Sequence, residues 1–61
     1  MQLTLSPEEA RELRELIEVT LSDLHSEIHH TDSAEYRERL RQRERLLQGL
    51  RARLAAEEAP S

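Results

Sequence analysis

The chain is short and acidic, with 61 residues and a formal net charge of −4. A chain of this length forms one small domain with a modest core, so it usually needs a covalent staple or a partner. It contains no cysteine, which excludes a disulfide framework and a thiolate metal site.

The first five residues predict an extended arm rather than a targeting segment. Met1–Leu5 has neither a basic region nor a long apolar core, so we expect no secretory signal. No apolar run elsewhere approaches the roughly 20 residues that a membrane-spanning helix needs. We therefore expect a cytoplasmic protein that has no membrane partner.

A first helix is predicted over residues 7–29. Ser6 stands at the N-cap, Pro7 at the first helical position and Glu9 three residues after the cap, which is the pattern of a capping box. Apolar residues then recur on one helical face. This stripe consists of Ala10, Leu13, Ile17, Leu21, Leu24 and Ile28. Leu16 lies at its edge.

A polar turn over residues 30–33 leads to a second helix, predicted over residues 33–57, with residues 58–61 as a frayed tail. Asp32 and Ser33 are both candidates for the N-cap of this helix. The positions of its stripe follow the heptad spacing of coiled coils. They are Tyr36, Leu40, Arg43, Leu47, Leu50 and Leu54.

The short turn favours an antiparallel two-helix hairpin, which makes the fold all-α. Because a lone hairpin leaves half of each stripe in water, we expect a homodimeric four-helix bundle. A higher oligomer and a hetero-protein partner are the alternatives. Leu16 and Leu46 widen the stripes on the side that would face the second hairpin. The predicted oligomer interface consists of Leu13, Leu16, Ile17, Leu21, Leu24, Leu40, Arg43, Leu46, Leu47 and Leu50.

The two helices carry opposite charge. Residues 7–28 contain seven acidic residues and two arginines, a net of −5, whereas residues 36–54 contain seven arginines and two glutamates, a net of +5. Antiparallel pairing around the turn would place acids beside arginines along the whole hairpin. The expected pairs are Glu27–Arg37, Asp23–Arg41, Glu18–Arg45, Glu12–Arg51 and Glu9–Arg53.

Some arginines suggest a second interpretation of the charge. Arg37, Arg41 and Arg45 recur at four-residue spacing and could contact a polyanion, which would make the chain a small regulator that binds RNA or DNA. The net acidity and the lack of stacking aromatic residues argue against this, so we expect no nucleic acid partner. Arg43 occupies a stripe position, either with its head reaching solvent or as a polar contact that sets the register.

Two histidines form the candidate metal pair. His25 and His29 lie one helical turn apart, a spacing that can chelate Zn²⁺. The same positions suit the negative end of a helix dipole, so we predict neither a metal site nor a cofactor. The chain also shows no Ser/His/Asp set, no glycine-rich phosphate loop and no paired carboxylates in a pocket, and we expect no enzymatic activity.

Several short segments resemble those of a group of short bacterial helical-hairpin proteins of unknown function. They are Leu5-Ser6-Pro7-Glu8-Glu9-Ala10, Leu21-Ser22-Asp23-Leu24, Thr31-Asp32-Ser33 and Tyr36-Arg37. The resemblance covers most of the chain and implies a bacterial helical hairpin, with no activity to carry over. The sequence therefore predicts a non-enzymatic, homo-oligomeric module for protein–protein interaction or scaffolding.

Overall fold

The computed structural model describes residues 3–58, except for the side chains of residues 57 and 58. It contains two helices, α1 over Pro7–His30 and α2 over Ala34–Glu58, and these pack against each other. The predicted two-helix hairpin is confirmed. Each helix ends one residue beyond its predicted end, and residues 59–61 of the predicted tail lie outside the described residues. Over the described residues, neither helix has the length and apolar character needed to cross a membrane.

The start of α1 is fixed by the predicted capping box. The Glu9 backbone N–H donates to Ser6 Oγ at 3.1 Å, and the Ser6 backbone N–H donates to Glu9 Oε1 at 2.9 Å. These two bonds satisfy amides that have no partner inside the helix. The bond from the Ser6 backbone, followed by the interaction with its side chain, holds the pKa of the Glu9 carboxyl below its usual value.

The turn is a short, hydrogen-bonded segment. The Thr31 backbone N–H donates to the carbonyl of Glu27 at 3.0 Å and closes α1, while Thr31 Oγ1 accepts from the Ser33 N–H at 3.3 Å. Ser33 Oγ then accepts from the Tyr36 N–H at 3.2 Å. Of the two candidate caps, Ser33 therefore begins α2, and Asp32 remains exposed in the turn.

The core consists of two clusters along the line where the helices meet. One lies at the open end of the hairpin, which is the end opposite the turn, and the other lies at the turn end. The open-end cluster contains Ala10, Ile17, Leu21 and Leu54, with Leu5, Leu13 and Leu47 packed against it. The turn-end cluster contains Leu24, Ile28 and Leu40, again with Leu47. Leu47 therefore joins the two clusters.

The inward face of α2 differs from the predicted stripe. Its central line is the expected one, because Leu40 and Leu54 are buried and Leu47 is half-buried. Beside these leucines, the row of Arg37, Glu44 and Arg51 is half-buried, whereas the row of Tyr36, Arg43 and Leu50 is exposed. Both rows complete a heptad pattern around the same three leucines. The structure turns α2 so that the charged row, rather than the more apolar row, borders α1.

Candidate functional site

The rotation of α2 gives the hairpin two chemically different long sides. Leu13, Leu16 and Thr20 follow one edge of the buried stripe of α1, and Arg43, Leu46 and Leu50 follow the corresponding edge of α2. The two helices run in opposite directions. Residues that are rotated in the same sense away from the inward-facing line of each helix therefore lie on the same long side of the hairpin. These residues therefore share one side of the hairpin, which we call the patch side, and Leu13 and Leu50 line the same groove there.

The patch side carries four leucines, which we call the leucine patch: Leu13, Leu16, Leu46 and Leu50. Leu16 is 61% exposed, Leu46 is 72% exposed and Leu50 is 46% exposed. Leu13 is half-buried and touches the open-end cluster. The patch thus continues the core to the surface, which is an arrangement typical of an interaction site.

The predicted interface residues divide between the inside and the outside of the hairpin. Ile17, Leu21, Leu24 and Leu40 are buried in the core of the single chain, and Leu47 is half-buried between the clusters. The remaining predicted interface residues are the leucine patch and Arg43. The edge leucines Leu16 and Leu46, which were predicted to face a second hairpin, lie on the patch side.

The half of the patch side nearer the turn is charged. Four residues there form what we call the charge quartet: Asp23, Glu27, Arg39 and Arg43. All four are exposed, and within the described part of the chain their side chains form no hydrogen bond or ion pair. The quartet therefore presents two acids from α1 and two arginines from α2 that have no partner within the described chain.

The predicted acid–arginine pairs along the hairpin are wrong in detail. Among the described side chains, none of the five expected pairs lies within ion-pair distance, whereas an arginine–glutamate pair and a histidine–glutamate pair do. Arg45 Nη2 lies 3.5 Å from Glu38 Oε1 within α2, and His25 Nδ1 lies 3.9 Å from Glu44 Oε2 across the helices. The turned α2 explains this difference, because it moves Glu44 towards α1 at the place where an arginine was expected.

Arg37 has a structural role that the sequence interpretation missed. Its Nη2 donates to the carbonyl of Thr31 at 2.7 Å, and its Nε donates to the carbonyl of Ile28 at 3.4 Å. These carbonyls lie at the end of α1, where backbone acceptors lack helical partners and the dipole is negative. An arginine one turn into a helix that follows a tight turn was the signal for this contact.

The candidate polyanion strip is therefore divided. Arg37 is half-buried and bonded to α1, and Arg45 pairs with Glu38. Arg41 is exposed. The three residues do not form a uniform row of free guanidinium groups.

The histidine pair lies on the opposite long side from the leucine patch. The rings of His25 and His29 meet edge to face, with centroids 4.7 Å apart. The described residues include no group of three or more His, Asp or Glu side chains arranged to hold a metal ion. His25 instead faces Glu44, and His30 Nδ1 lies 2.7 Å from the carbonyl of Ser26.

The open end contains a groove of about 1010 Å³ whose walls combine apolar side chains with Ser6, Arg11, Arg14 and Arg53. Its walls include Ile17 and Leu54 from the core and Leu13 and Leu50 from the patch, and Leu5 of the arm lies against it. The groove is open to solvent and lies beside the buried side chains of the open-end cluster. Leu13 and Leu50 of the leucine patch therefore border this groove.

Comparisons of the chain with protein-family models, with curated proteins and with solved structures give no match, so its geometry is the basis for a functional proposal.

Proposed function

We propose that this chain is a non-enzymatic, homo-oligomeric helical module that acts by protein–protein interaction or scaffolding, with a homodimeric four-helix bundle as its working form. The observation that carries the proposal is the exposure of the leucine patch beside the groove at the open end. A single hairpin leaves Leu16, Leu46 and Leu50 largely in water. Pairing with a second hairpin removes this apolar surface from water, which is the main driving force of helical bundle assembly.

The dimensions of the hairpin suit such an interface. Its two longer dimensions are 44 and 21 Å, and their product is on the order of 900 Å², close to the about 800 Å² that each partner contributes to a standard interface. The patch side as a whole combines apolar and charged surface, with the leucine patch away from the turn and the charge quartet nearer to it. Two copies of one side are sufficient for a closed dimer, because a two-fold interface uses the same surface twice.

The test compares wild-type protein with a Leu16→Gln/Leu46→Gln variant by sedimentation equilibrium and by circular dichroism over a dilution series. Glutamine keeps a high helix propensity, so the change acts on association rather than on helix formation. Each buried leucine contributes about 1.5–3 kcal/mol, and a dimer loses four, so we expect the dissociation constant to rise at least about 1,000-fold.

The matched control is Val19→Gln. Val19 is 62% exposed but lies on the outer face of α1, away from α2 and from the patch. We expect this control to associate like the wild type and to lose helicity at the same dilution. A wild-type chain that is helical and monomeric at every concentration would overturn the proposal, as would equal association of the patch variant and the control.

A further inference from the structure

We infer that the second copy packs with its turn at the same end of the bundle, so that α1 of each chain lies over α2 of the other. The inference rests on the proposed homodimer and specifies its geometry. Two hairpins can meet face to face about a two-fold axis that runs either along the helices or across them. An axis along the helices places both turns at one end. An axis across them places the turns at opposite ends.

The charges on the two helices distinguish these arrangements. An axis across the helices places α1 of one chain over α1 of the other, and α2 over α2. Two acidic helices, each of net charge −5 over residues 7–28, would then face each other. Two basic helices, each of net charge +5 over residues 36–54, would do the same. An axis along the helices lays each acidic helix over a basic one. Like charges in register destabilise a helix interface and opposite charges favour it.

The charge quartet gives this preference specific contacts. Asp23 and Glu27 lie at nearly the same height along the hairpin as Arg43 and Arg39, because the helices run antiparallel from a short turn. With the axis along the helices, Asp23 of one chain lies opposite Arg43 of the other, and Glu27 lies opposite Arg39. The quartet side chains have no partner among the described residues, so each is available for such a contact.

The position of the leucine patch points the same way. Leu13, Leu16 and Leu50 lie in the open half of their helices and Leu46 lies at the middle of α2, whereas the charge quartet lies in the half nearer the turn. With both turns at one end, patch meets patch and quartet meets quartet while the helices overlap along their whole length. With the turns at opposite ends, superposing the two patches would leave the turn halves protruding, so that each charge quartet would face solvent instead of the other quartet.

A charge-exchange experiment tests the contacts between chains. An acidic variant carries Arg39→Glu and Arg43→Glu, and a basic variant carries Asp23→Arg and Glu27→Arg. Each variant alone places like charges across the interface, so we expect its self-association to weaken at least about tenfold at low ionic strength. An equimolar mixture restores opposite charges at every contact. We expect a heterodimer in the mixture, detected by native mass spectrometry.

A distance measurement tests the same geometry with little change to the interface. The chain has no cysteine, and Asp32 is exposed in the turn, so a nitroxide on Asp32→Cys labels each chain once. With both turns at one end, the labels lie about 20 Å apart, or two interhelical spacings. With turns at opposite ends, the labels lie about as far apart as the 44 Å length of the hairpin, or farther.

The outcomes separate this inference from the proposed function. A heterodimer in the mixture together with a short label distance supports it. A dimer that depends on Leu16 and Leu46 but shows a long label distance overturns the geometry and leaves the proposed function intact. A mixture in which both charge variants stay monomeric also overturns it, because the charges then pair within one chain or not at all. A monomeric wild type overturns both.

Discussion

The turn end and the open end of the hairpin differ in how much apolar surface a single chain leaves exposed to solvent. At the turn end, Leu24 is 3% exposed, Ser33 caps α2, and Arg37 bonds to the last carbonyls of α1. At the open end, Ala10, Ile17 and Leu54 are also buried, but a groove lies beside them and the leucine patch reaches solvent. The exposed leucines of one chain are therefore concentrated away from the turn end.

The largest expected effect comes from removing core side chains at the two ends. Leu24→Ala should lower the free energy of unfolding by about 2–5 kcal/mol, because it leaves a cavity among tightly packed residues. Leu54→Ala should lower the free energy of unfolding by a smaller amount. Leu54 borders the groove, so its removal leaves a less enclosed cavity. Urea unfolding of the two variants at one protein concentration measures the difference. If Leu24→Ala and Leu54→Ala lower the free energy of unfolding equally, the open end is not loosely packed. That result would indicate that assembly fills the groove.

Arg37→Gln is expected to have the next largest effect, and it acts at the turn end alone. The variant loses charge-assisted hydrogen bonds to carbonyls at the end of α1, which contribute about 1–2 kcal/mol. Thermal unfolding measures the loss. Arg41→Gln is the matched control, since Arg41 is exposed and Arg37 is half-buried. A control that loses as much stability as Arg37→Gln would remove the proposed role of Arg37 in closing the turn.

Gly49→Ala tests the outer surface of the open half. A Cβ added at Gly49 meets no atom within 4 Å in the single chain. Alanine has the higher helix propensity, so we expect a gain of roughly 1 kcal/mol in the free energy of unfolding. Ala52→Gly, at another exposed position of α2, should lose a similar amount. A destabilised Gly49→Ala variant would show that a partner approaches this face closely.

The smallest effect concerns pH at the start of α1. The pKa of Glu9 is lowered in the folded chain, so its contribution to stability is present above its unfolded pKa and is lost as pH falls through its folded pKa. Glutamine retains the capping-box bond without titrating. We therefore expect Tm to fall less for Glu9→Gln than for the wild type on acidification. Glu8→Gln is the neighbouring control, and it should follow the wild type.

The sequence predicted the structure correctly where a residue pattern is compatible with a single helical arrangement. The capping box of Ser6 and Glu9 and the apolar stripe of α1 were predicted, because each pattern fits a single helical arrangement. In α2, Leu40, Leu47 and Leu54 form one line of a heptad pattern. The residues on either side of this line could each supply the second line of that pattern. The apolar pattern favoured the row with Tyr36 and Leu50. Hairpin geometry instead turns half-buried Arg37, Glu44 and Arg51 inward, and a pattern of side-chain polarity holds no information about that rotation.

The same rotation decided which charges could pair. The predicted partners were assigned by height along the hairpin, and height alone does not say on which side a residue lies. Asp23 and Glu27 occupy the patch side, whereas Glu44 meets His25 on the other side. The edge leucines Leu16 and Leu46 were predicted from the sequence because their positions relative to the apolar stripes do not depend on how α2 is rotated. Their position beside a groove required the structure.

The contact between Arg37 and Thr31 has a consequence for the order of folding. It joins residues only six positions apart, so forming it closes a small loop with a low entropic cost. The neighbouring cluster of Leu24, Ile28 and Leu40 is also local in sequence. We expect the chain to zip from the turn towards its termini, so that the leucine patch reaches its folded arrangement after the turn end does.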